Sequence, residues 1–78
     1  MRDNLRGITA RRLIHALQAD GFKLKRTSGS HHLYQHTDGL RVVIAYHHPG
    51  DTFPIGALKG MIAAIGWTEN DLERLGFV

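Results

Sequence analysis

Apolar residues recur at helical spacing near each end of the 78-residue chain and at strand spacing between. After Thr9, residues Ala10, Leu13, Ile14 and Leu17 fall at i, i+3, i+4 and i+7, while Arg11, Arg12, His15 and Gln18 take the opposite side. Thr9 can accept from first-turn amides and Gly21 can supply a left-handed stop, so a helix is predicted over 9–20. Phe22 then turns back toward the core. A second helix is predicted from Pro54, which suits a first helical turn, through Leu58, Met61, Ile62 and Ile65 to a stop at Gly66. Gly56 and Gly60 weaken it by about 1 kcal/mol each relative to alanine. Thr68-Glu69-Asn70-Asp71 has the form of a capping box, so a short third helix is expected over 69–75, pinned by Trp67 and Phe77.

Between the helices the period shortens. Lys23-Leu24-Lys25-Arg26 reads as a short strand with Phe22 and Leu24 on one side and Lys23 and Lys25 on the other. That positive stripe has two readings, charges that blunt a sheet edge and a track for phosphates. His31–His36 and Leu40–Tyr46 flank Thr37-Asp38-Gly39, and Asp-Gly between two strand-like runs signals a hairpin. A two-residue loop would put His31 and Leu33 on the face of Leu40, Val42 and Ile44. A three-residue loop closed by Gly39 puts Tyr34 there instead, with Leu40, and turns His31 outward beside Leu33, Arg41 and Val43. Burial of the Tyr34 ring favours the second register, with His32 and His36 facing inward near the sheet ends. His47-His48-Pro49-Gly50-Asp51-Thr52 is a loop.

The order is helix, three strands, helix and a short C-terminal helix, preceded by a polar lead carrying Arg2 and Arg6. Two helices with single apolar stripes can cover one face of a three-stranded antiparallel sheet, which makes an α+β fold with the other face open. Residues 1–78 are expected to form a single domain, with a small core, since so short a chain buries only about 60–65% of its unfolded surface.

Composition narrows the function. The net charge of +3, with a pI near 9.8, favours polyanionic partners. There is no cysteine, which removes disulfides and thiolate zinc sites and suits a reducing cytoplasm. No apolar run approaches the ~18 residues that span a bilayer, so neither a membrane segment nor a signal segment is expected.

Five of the six histidines fall between positions 31 and 48. Metal binding is one reading, but adjacent histidines on an extended chain point apart, and no carboxylate or cysteine completes a tetrahedral set at a familiar spacing. A serine hydrolase is a poor fit, because Ser30 and His31 are neighbours without a Gly-x-Ser-x-Gly elbow. Cleavage of RNA asks for less. The 2′-hydroxyl is an internal nucleophile beside the scissile phosphate, so a protein needs only to move protons and neutralise charge. In this reading His31 is the general acid–base, and its rate would trace a bell centred roughly at pH 6–8. Gly29 and Ser30 admit the RNA backbone, and Lys25, Arg26, Arg41 and Lys59 hold phosphates or add positive field. The plainer reading leaves His31 and His32 as solvated residues at a strand end.

The run Gly21-Phe22, Lys25-Arg26, Gly29-Ser30-His31-His32-Leu33-Tyr34, His36-Thr37-Asp38-Gly39 and Leu40 to Ile44 resembles the HicA (YcfA-like) toxins of bacterial toxin–antitoxin pairs. Pro54-Ile55-Gly56-Ala57-Leu58-Lys59 and Ile65-Gly66-Trp67 are similar to that family as well. The resemblance implies a fold like the double-stranded-RNA-binding domain. It also implies an endoribonuclease that cuts mRNA without a metal or other cofactor, neutralised by a HicB-type antitoxin that covers the active face. The family's essential histidine follows Gly-Ser, which makes it His31, with His32 as an added RNA contact. Ala45 stands where the family often has proline, and 69–78 extends past its usual end. Two other functions fit the basic face, an RNA-binding module without catalysis and a domain that docks an acidic protein.

Overall fold

A computed structural model describes residues 7–77, so Arg2 and Arg6 lie outside the described residues. The elements are α1 (Ala10–Ala19), β1 (Phe22–Ser28), β2 (His31–His36), β3 (Arg41–Ala45), α2 (Ile55–Ile65) and α3 (Glu69–Arg74). The strands form one antiparallel sheet in the order β1-β2-β3. This is the α+β arrangement read from the pattern, helix, three strands and then helices, with one sheet face open.

Each helix begins and ends where the local chemistry allows. Thr9 accepts from the Arg12 amide at 3.2 Å to cap α1. The predicted apolar positions are buried, except that Ile14 is half-buried and Ala16 joins the core. In α2, Leu58, Ile62 and Ile65 are buried and Met61 is half-buried. The capping box of α3 is complete, since Thr68 accepts from the Asp71 amide while Asp71 accepts from the Thr68 amide. Helix α3 is fastened to α1 at both ends. Trp67 Nε1 donates to Asp20 at 2.8 Å, Arg74 pairs with Asp20 at 3.1 Å, and the Arg12 guanidinium lies over the Phe77 ring and donates to the Gly76 carbonyl.

The sheet packs one face against this layer. Phe22, Tyr34, Val42 and Ile44 are buried with Leu13, Leu17, Leu58 and Ile62. Strand β3 alternates fully, with Val42 and Ile44 inward and Arg41, Val43 and Ala45 exposed. The three-residue hairpin register holds. Tyr34 pairs with Val42, the His36 amide donates to the Leu40 carbonyl at 2.8 Å, and Gly39 takes φ 99°. Leu40 departs from expectation. It lies on the core side but at a strand end, and it stays 41% exposed. Leu24 is likewise 49% exposed, because β1 is an edge strand whose inward anchor is Phe22.

Asp51 closes the 47–51 loop by accepting from the His47 and His48 amides, each at 3.0 Å, which holds its carboxyl below the ordinary range. Asp71 is held low by the Thr68 amide, then by Arg74. A carboxyl with a depressed folded-state pKa stabilises the fold above its unfolded pKa and loses that contribution as pH falls through the folded value. The melting temperature should therefore be level above about pH 5 and fall below about pH 4. A thermal melt series from pH 6 to pH 2 checks this, and a level profile down to pH 2 would refute it.

Candidate nucleic-acid interface

The open face follows from the register. Residues opposite each other in an antiparallel pair share a face, so Lys23, Gln35 and Arg41 form one row across the strands. Arg26, Leu33 and Val43 form the next, and Ser28, His31 and Ala45 the last. His31 and Gln35 are four residues apart on β2, which separates the end rows by roughly 13 Å.

One irregularity sets the charge of this face. The β1–β2 register shifts between Leu24 and Arg26, leaving Lys25 as an extra residue in a bulge. Plain alternation would put Arg26 with Phe22 and Leu24, under the helices. The bulge turns it over, so that it lies opposite Leu33 and beside His31. Lys25 remains with Lys23 and Gln35 in a groove at the far end of the sheet. Four cations therefore share the open face, Lys23, Lys25, Arg26 and Arg41, and all are exposed. The carboxylates of the described residues lie elsewhere. Asp20 faces Trp67 and Arg74, Asp38 accepts from the Leu40 amide, Asp51 closes its own loop, and Glu69, Asp71 and Glu73 belong to α3.

His31 is exposed at the first position of β2, with Arg26, Ser28, Leu33 and Val43 around a depression of about 210 Å³. Its ring makes no hydrogen bond among the described residues, in contrast to the rings of His32 and His36. Gly29 and Ser30, just before it, are the tight turn between β1 and β2. Gly29 alone has positive φ there, 59°, which matches the first central position of a type II′ turn. The turn itself accounts for the glycine. The Ser30 carbonyl extends the sheet by accepting from the Tyr46 amide at 3.0 Å.

Two sequence candidates stand apart from this group. His32 is half-buried on the helix side, with its ring stacked on Tyr46 at 4.1 Å and Nδ1 donating to the Ile44 carbonyl at 3.1 Å. Lys59 is exposed on α2, beyond the sheet's covered side. Lys23, part of the stripe with two readings in the sequence, stands in one row with Gln35 and Arg41. His36 bridges the sheet to α1, with Nε2 donating to the Asp20 carbonyl at 3.0 Å and Nδ1 beside the Asp38 amide and carboxylate. No group of three or more histidine, aspartate or glutamate residues stands close enough to hold a metal ion among the described residues.

An imidazole in solvent, on an open cationic surface, can bind a polyanion and exchange protons with it. No curated protein matches the chain. A family model described as the HicA toxin of bacterial toxin–antitoxin systems matches residues 10–67, which span α1, the whole sheet and α2.

Proposed function

As the chain belongs to the HicA toxin family of bacterial toxin–antitoxin systems, we propose that it is an endoribonuclease that cuts mRNA on the open sheet face. The observation that carries this reading is the placement of His31, solvent-exposed and free of hydrogen bonds among the described residues, on a face with four cations. Membership of the family implies a cognate antitoxin; in this reading it is a HicB-type protein that covers the same face.

The His31 imidazole takes the proton of the 2′-hydroxyl as that oxygen forms a bond to phosphorus. The bond from phosphorus to the 5′-oxygen breaks, and solvent returns a proton to the departing oxygen. The products are a 2′,3′-cyclic phosphate and a 5′-hydroxyl. Arg26, paired with Leu33 on β2 and lining the same depression as His31, faces the charge that builds on the phosphoryl oxygens, while Lys25 and Arg41 hold flanking phosphates. Neither a metal nor another cofactor is required by this scheme.

The internal nucleophile makes a sharp test. An RNA with a single 2′-deoxynucleotide at the mapped cut site should bind as before and not be cut there. Cleavage at the deoxy position would show that the nucleophile comes from elsewhere. An uncut all-RNA substrate, bound with a salt-dependent affinity, would leave a binding module without catalysis.

A further inference from the structure

The groove at the far end of the open face is lined by Lys23, Lys25, Gln35 and Thr37, with Gly21 and His36 at its margin, and encloses about 310 Å³. Two lysines, a glutamine and a threonine thus line one groove. Of the carboxylates next in sequence to its lining residues, Asp38 is turned to the Leu40 amide and His36, and Asp20 to Trp67 and Arg74. We propose that this groove binds a second, non-scissile phosphate of single-stranded RNA, and that it sets the length of substrate the protein needs.

Spacing and the surface between the two ends support this. The groove lies roughly 13 Å from the His31 row along β2. A single strand advances about 3.4 Å per nucleotide when stacked and more when extended, so about four nucleotides or fewer cover the distance. The row between is apolar at its centre, where Leu33 is half-exposed and Val43 is 49% exposed, with the Arg26 guanidinium at its side. An aliphatic surface with a planar cation at its edge suits the flat face of an unpaired base. A duplex would present backbone and base edges to it but keep the flat faces of its bases stacked inside. The bulge at Lys25 serves both ends, because it leaves one cation in the groove and sends the next to His31.

The proposal rests on the nuclease reading only for where the cut falls, and the two can fail separately. In a His31→Ala protein, which cannot consume the probe, a labelled single-stranded RNA hexamer should bind more tightly than a dinucleotide or the hexamer's own duplex. Adding Lys23→Gln should lower the ratio of hexamer to dinucleotide affinity about three- to ten-fold and make the slope of log affinity against log salt shallower by about 0.7. An unchanged ratio, no preference for the longer strand, or no RNA binding at low salt would overturn the site. A duplex that binds as tightly as the single strand would overturn its single-stranded character. If the ratio falls as expected but the wild-type protein cuts no RNA, the nuclease reading fails and the phosphate site stands.

Discussion

Replacing His31 with alanine should give a protein that folds normally and cuts RNA about 10²–10⁴-fold more slowly, the range that one positioned proton-transfer group contributes. Its expression should no longer arrest growth. The prediction divides cleanly because of where the ring sits. It is exposed and without hydrogen bonds among the described residues, so its removal should change stability by no more than about 0.5 kcal/mol. In a domain of this size that is a shift of roughly 2–4 °C in melting temperature. Purified wild-type and variant proteins, compared by thermal melt and by cleavage of a labelled RNA, test both halves. A variant that cuts at the wild-type rate would remove His31 from the chemistry, and the neighbouring His32 could not simply replace it. That ring lies on the other side of the sheet, stacked on Tyr46 and donating to Ile44.

Opposite faces for adjacent histidines were legible in the sequence, and the reason was burial. Only the register that puts Tyr34 against Val42 buries the aromatic ring, and that register turns His31 outward. Helix periodicity and the capping residues Thr9 and Thr68 were equally plain, because they are local and each has one stereochemical solution. The bulge was not legible. Nothing in Lys23-Leu24-Lys25-Arg26 marks one residue as extra, since the irregularity reconciles the tight Gly29-Ser30 turn at one end with burial of Phe22 at the other. Both constraints lie outside the run itself. Strict alternation therefore gave no structural reason for Arg26 to reach the open face, and it left the Lys23 and Lys25 stripe with two readings. The side on which Lys59 stands was not legible for a related reason. Its position in sequence near a helix start says nothing about which side of the sheet that helix covers, and α2 packs on the side away from His31.

Replacing Ile44 with alanine should abolish toxicity by a different route. Ile44 is fully buried between sheet and helices. Truncating such a side chain costs about 2–5 kcal/mol, from lost transfer energy and the cavity left behind. A domain of this length has only about 4–12 kcal/mol to lose, at 0.05–0.15 kcal/mol per residue. The melting temperature should drop by roughly 10–30 °C, and a substantial fraction of the chain should be unfolded at growth temperature. The candidate site itself is not touched, because Ile44 faces the core while its neighbours Val43 and Ala45 are on the open face. Cooled until it is fully folded, the variant should cut RNA at a rate close to wild type measured at the same temperature. A rate that stays far below wild type in the folded protein would mean that β3 packing also positions His31, which pairs with Ala45 across the sheet. His31→Ala should show the reverse pattern at every temperature, folded and inactive. The pair of variants thus separates loss of the imidazole from loss of the platform beneath it.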